Sequence, residues 1–470
     1  MLTLQSYIHW VQSGEINALE IIKKYQEKVG INELNAWVFS AEEYANEHKE
    51  DFSSKALHAA PIGIKDLIMT KDVKSTCGSK MLENYIPEFS ATCFRKLEEA
   101  GGLMIWKNNM DEFAMGGSGE HSAFWPTLNP RDHARVPWGS SSGSAASVAN
   151  DECLASLGTD TWGSVRLPAA FCGIVGFKPT YGMVSRYGVQ SMSNSLDQVG
   201  TLTKTVEDAR ILFNVIKGFD TMDMNSIENQ SPITSDVASK KLRVCSLNSF
   251  YEQGIDSQIK EKTESYLEGL KSDSRIESID FIDFDLLQYL IAIYYIIMPA
   301  EASTNLSRFD GIKHGLQEDT TQFDSLSDYY KDIRNKWFGE EVKRRLLIGS
   351  YVLSSGFADQ YYNKALTVRD MIKGEFMKIF EKYDIIIWPT SPVRPWKIGG
   401  HSNDPLADYL ADMYTVPANL IWSPAMSLPM WFWEVEWEKL PLGIHIMAKP
   451  NNDQIIFQMW TIIEEHTNKS

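Results

Sequence analysis

Between Pro61 and Tyr181 the chain is dominated by small residues, densest in PWGSSSGSAASVAN at 137–150 and continuing in LGTDTWGSVRLPAAFCGIVGFKPTYG at 157–182. A Gly/Ser run alone has the composition of a flexible linker. This one leads straight into an Ala/Val-rich segment of helical composition, and a loop feeding a helix N-terminus presents backbone N–H groups that can hold an anion. Phosphate is one candidate, yet the spacing G-x-x-x-x-G-K-[ST] is missing and no G-x-G-x-x-G follows a strand. The other candidate anion is the oxyanion of acyl transfer.

Around this block the pattern is α/β. Ala18, Leu19, Ile21, Ile22 and Tyr25 have helical spacing, and Asn35 to Ser40 turns toward strand character. From 60 to 220, apolar runs such as Gly63 to Met69 and Leu103 to Ile105 alternate with helix-like stretches such as Ala91 to Ala100. That alternation predicts a central mixed sheet covered by helices on both faces. A polar connection from Asp220 to Lys241 leads to charged helical segments, including Ser257 to Lys271 and Glu340 to Leu347, before strand-like IIIWP at 385–389 and LGIHIMA at 442–448. We read 1–470 as one domain: a catalytic core at about 55–220, a more helical region at about 240–380 and a return to the sheet at about 384–470.

An apolar fraction of 43% and a charged fraction of 23% are ordinary for a soluble globular protein. The formal charge of −17 argues against a chain that grips a phosphate backbone by itself, because such binding needs clustered Lys and Arg. Five widely spaced cysteines (Cys77, Cys93, Cys153, Cys172, Cys245) form no C-x-x-C pair, which predicts a reducing, cytoplasmic setting with neither a disulfide framework nor a metal site. The N-terminus lacks the features of a secretory signal and reads as mature protein. The most apolar run, Leu286 to Met298, is shorter than the roughly 20 residues needed to span a bilayer, so no membrane is expected.

PIGIKD at 61–66, the Gly/Ser run and GTDTWGSVRLPAAFCG at 158–173 resemble the amidase signature enzymes. NMDEFAMGGSGEHSAF at 109–124, FKPTYGMVSRYG at 177–188 and EEVKRR at 340–345 are similar, within that family, to the A subunits of glutamyl/aspartyl-tRNA amidotransferases. The resemblance implies a Lys-Ser-Ser triad: Ser164 as nucleophile, Ser140 as a bridging serine held on a cis peptide, and Lys65 as the terminal base. A serine hydroxyl is a weak nucleophile until a neighbour takes its proton, so Lys65 must be neutral when it acts, although a free lysine titrates near about 10.4. The flanking Ile62, Ile64, Leu67 and Ile68 fit the desolvation this demands, whereas the ordinary fate of a lysine after a strand is the surface.

The resemblance further assigns the oxyanion hole to the backbone N–H groups of Thr161, Trp162, Gly163 and Ser164. It pairs Arg345 with the α-carboxylate of glutamine and Asp412 with its α-amino group, with Tyr295 nearby; without the family, Arg345 would read as part of a solvated charged run. It implies a heterotrimer with B and C subunits, with tRNA, ATP and Mg held by the partner and no cofactor in this chain. A stand-alone amidase for another small amide and an inactive amidase-fold scaffold stay open as alternatives.

Eight of the fourteen tryptophans stand where the family pattern has glycine: Trp106, Trp125, Trp138, Trp162, Trp337, Trp388, Trp422 and Trp431. Tryptophan is the worst replacement wherever glycine supplies positive φ or close approach. The expectation is that the eight codons are UGA, read as glycine in the source organism; a decayed site is the competing account, against which Lys65, Ser140, Asp160, Ser164 and Arg166 are all kept. Ser142 in place of a family glycine and Leu167 in place of a glutamine are smaller departures.

Overall fold

The structure is a computed structural model and describes residues 2–28, 31–228, 231–234, 241–252, 254–400, 411–435 and 438–467. Part of the polar connection expected from Asp220 to Lys241 lies outside them, as does the side chain of Trp431.

Eleven strands form one mixed sheet: β1 (Trp37–Ser40), β2 (Ala60–Lys65), β3 (Gly102–Asn108), β4 (Ala155–Asp160), β5 (Val175–Lys178), β6 (Gln198–Thr203), β7 (Leu242–Leu247), β8 (Ile276–Ile282), β9 (Ile385–Pro389), β10 (Ala425–Val435) and β11 (Glu438–Ala448). Their spatial order is β1-β3-β2-β4-β6-β5-β10-β11-β9-β7-β8. β2 runs parallel to β3 and to β4, and β7 runs parallel to β8 and β9, while β4–β6, β5–β6, β5–β10, β10–β11 and β9–β11 are antiparallel. Strands β2, β3, β4, β5, β6 and β9 are buried along their whole length. Strands buried along their whole length need helices over both faces of the sheet, and in β4 and β6 Ser, Thr, Asp and Gln are buried with them.

The Gly/Ser run is no linker. Its second half folds into the helix Ser142–Ala149, with Ser142 through Val148 all buried. Small side chains are what let a helix lie this close to the sheet beneath it. The apolar run near 290 is the core of the helix Leu287–Leu306, with Leu290, Ile293, Tyr294, Ile297 and Met298 buried, and among the described residues no helix is long and apolar enough to cross a membrane. All five cysteines are free and buried.

Candidate active site

Lys65 is the last residue of β2, and Thr159 and Asp160 end the neighbouring parallel strand β4, so the carboxyl ends of two adjacent strands open onto one point. In α/β sheets that is where ligands gather. Lys65 is fully buried, and its Nζ lies 2.8 Å from Ser140 Oγ, 2.9 Å from Ser141 Oγ and 2.9 Å from Thr159 Oγ1. Burial drives the Lys65 pKa down to about 7, against the opposing pull of Asp111, Asp160 and Asp197. Roughly half the population is then a neutral amine near pH 7, ready to accept a proton from a hydroxyl. Ser141 and Thr159 lie inside the quoted motifs without a role assigned to them there, and the packing of the Gly/Ser loop on β4 brings both to the amine.

The Gly139–Ser140 peptide is cis. Ser164 lies on the loop after β4, and Ser141 N–H donates to its carbonyl at 3.2 Å. Its Oγ is buried and makes no hydrogen bond among the described residues. Of the expected contacts, Lys65–Ser140 is therefore formed and Ser140–Ser164 is not. In the same loop Gly163 has φ +140°, and a Cβ there would collide with Thr415 Oγ1, so only glycine fits.

Arg166 clamps this loop from beneath. Its guanidinium donates to Asp160 at 3.0 and 2.9 Å, to Asn419 Oδ1 at 2.7 Å and to the Thr415 carbonyl at 2.9 Å, and meets His445 Nε2 at 2.8 Å. Burial raises the Asp160 carboxyl, but the charge and hydrogen bonds of Arg166, with Lys178 and Asn419, together outweigh it and hold the group at about 2. Thr415 Oγ1 also donates to the Trp162 carbonyl. The stretch between Asp160 and Arg166 is thus tied to segments near 415, 419 and 445, which no motif links to it.

The three residues expected to hold substrate converge although they are far apart in the chain. Tyr295 Oη donates to Asp412 Oδ2 at 3.0 Å, and the Arg345 guanidinium lies 5.9 Å from the Tyr295 ring. Arg345 is buried, not part of a solvated face, and its Nε donates to Glu341 Oε1 at 2.7 Å one helical turn back. Trp162 joins this group: its ring centre is 5.0 Å from the Arg345 guanidinium and 5.5 Å from the Tyr294 ring.

The tryptophans at the expected glycine positions differ in backbone conformation and in hydrogen bonding. Trp138 and Trp422 have φ of +64° and +65°, a region costing a bulky L-residue about 1–2 kcal/mol. Trp106, Trp125, Trp138 and Trp162 bury indole N–H groups with no acceptor among the described residues. Each such donor costs about 1–3 kcal/mol, so four approach the whole net stability of a typical domain, about 5–15 kcal/mol. In contrast, Trp388 donates to the Tyr414 carbonyl at 2.8 Å, Trp422 to the Ser195 carbonyl at 2.9 Å and Trp337 to Glu318 Oε1 at 3.1 Å. Leu167 packs with Trp138 and Phe171 in a small cluster apart from the main core, and Ser142 Oγ meets Thr127 Oγ1 at 3.0 Å.

Residues 18–457 match the family model described as Amidase. The chain is 44% identical over 462 residues to the A subunit of glutamyl-tRNA(Gln) amidotransferase from Thermoanaerobacter pseudethanolicus, covering 95% of this chain and 93% of the relative. It is 43% identical to the corresponding protein of the same name from a Sulfurihydrogenibium species, covering 96% and 94%. The crystal structure of the Thermotoga maritima glutamyl-tRNA(Gln) amidotransferase A subunit superposes with a TM-score of 0.80 at 36% identity, covering 99% of this chain and 94% of that one. With a buried lysine against Ser140 at the ends of parallel strands and a family match over nearly the whole length, this chain belongs to the amidase family.

Proposed function

We propose that this chain is the glutamine-hydrolysing subunit of a tRNA-dependent amidotransferase. One observation carries the reading most directly: a fully buried lysine with its pKa near 7 lies 2.8 Å from Ser140, in a fold whose relatives are named for this activity. Ser164 Oγ attacks the side-chain amide carbon of glutamine while its proton passes through Ser140 Oγ to neutral Lys65. The tetrahedral oxyanion rests on the backbone N–H groups of residues 161–164, each donor worth roughly 3–4 kcal/mol in comparable enzymes. The proton returns through Ser140 to the leaving nitrogen, which departs as ammonia, and water then releases glutamate from the acylated Ser164.

Arg345 and Asp412, groups of opposite charge, both lie against Tyr295, which suits a zwitterionic α-amino acid, and Tyr295 orients Asp412. The ammonia goes to a B subunit that, with a C subunit, completes a heterotrimer and aminates Glu-tRNA(Gln), Asp-tRNA(Asn) or both. ATP, Mg and the tRNA are held by that partner, this chain needs no cofactor of its own, and the complex works in the cytoplasm. A charge of −17 suits a protein that leaves the RNA to its partners. Ser164→Ala removes one oxygen and little volume, so it should lower glutamine hydrolysis ~10⁴-fold or more with an unchanged melting temperature. Undiminished turnover in that variant removes Ser164 from the mechanism.

A further inference from the structure

We propose that the working protein carries glycine at positions 138 and 162, and that the indole of Trp162 marks the volume into which the carboxylate of the substrate fits. At 162 the argument is one of space and charge. The indole is fully buried and stacked over the Arg345 guanidinium, with Tyr294 beside it and its N–H donating to nothing among the described residues. An aromatic ring on a guanidinium is a tolerable neighbour, but it covers the cationic face that an anionic substrate group would need. Glycine at 162 leaves the Arg345 guanidinium uncovered on that side, beside Tyr295 and its hydrogen-bonded Asp412.

At 138 the argument is conformational. The backbone has φ +64°, two residues before Ser140, and the side chain ends as a buried donor wedged between Phe171 and Trp396 at 5.0 Å from each ring. Glycine takes that φ without strain and removes the orphaned donor. The same φ at 422 and the same orphaned N–H at 106 and 125 extend the assignment to those positions. One cause covers all of them: the codons are UGA, read as glycine when the protein is made. The glycine assignment stands apart from the glutaminase reading, whereas the carboxylate volume and the activity arm rest on it.

The test has two arms. Tandem mass spectrometry of the tryptic peptide Val136–Arg166 from the native organism reads both positions at once, with no dependence on folding or activity. Glycine at both is the expected result, and tryptophan at either overturns the proposal, as would UGG codons at 138 or 162. In the second arm the chain with tryptophan at both positions and its Trp138→Gly/Trp162→Gly variant are each assembled with the partner subunits and assayed for glutamine hydrolysis. The variant should have kcat/KM higher by ~100-fold or more, the scale of one mispositioned oxyanion donor; equal rates overturn the role given to the Trp162 volume. Glycine in the native peptide together with no glutamine hydrolysis in either form would uphold the glycine assignment and remove the glutaminase reading instead.

Discussion

Lys65 is suited to the role of a base because of what surrounds its amine. Three hydroxyls within 2.9 Å satisfy Nζ without supplying a carboxylate in contact, so desolvation wins and the pKa falls to about 7. The protonated amine cannot accept the proton of Ser140, so kcat/KM for glutamine should rise with pH through about 7 and be lost as pH falls below it. A pH–rate profile of the assembled enzyme checks this, and a flat profile across the neutral range would remove Lys65 as the base. Lys65→Ala should cost nearly as much rate as Ser164→Ala, and the double variant little more, because groups acting as one relay are not additive.

At the scale of elements, the loop between β4 and the helix Arg166–Cys172 is held by Arg166, which ties Asp160 to Thr415 and Asn419. Both Arg166 and Asp160 are fully buried, so removing one partner strands the other charge. Arg166→Met should therefore destabilise the fold by about 3–5 kcal/mol, measured as a shift in denaturant midpoint. A midpoint unchanged from the parent would show that the clamp contributes nothing to stability. The helix Glu340–Val352 contributes Arg345 from its buried face, and Glu341 one turn earlier keeps the guanidinium oriented. Its N-terminus is anchored where Gly339 N–H donates to Glu112 Oε2 at 2.7 Å.

For the whole molecule, 62 acidic against 45 basic residues leave little basis for gripping RNA. Electrophoretic mobility at moderate salt should show no retention of tRNA by the isolated chain and salt-sensitive retention by the complex with its partner subunits. Tight tRNA binding by the chain alone would contradict that division of labour.

Much of the fold was legible because strand and helix periods are local: the apolar runs at 63, 103, 385 and 442 and the helical spacing at 18, 91 and 257 all became the elements their patterns imply. Lys65, Ser140 and Ser164 were singled out through a motif confined to 61–182, and the fold brings Lys65 to 2.8 Å from Ser140. Strand order was not, since β5 pairs with β10 and β9 with both β7 and β11 across long stretches of chain. Nor was the neutrality of Lys65, which needs the hydroxyls of Ser141 and Thr159 and the exclusion of water. The meeting of Tyr295 with Asp412, 117 residues on, and of Arg345 with the ring at 162 belongs to tertiary packing as well. The sequence by itself determined which groups are chemically able to act, because reactivity resides in residue type and local spacing. Only the tertiary structure decided which of them share a dry pocket and in what protonation state, because burial and convergence arise from the packing of distant segments.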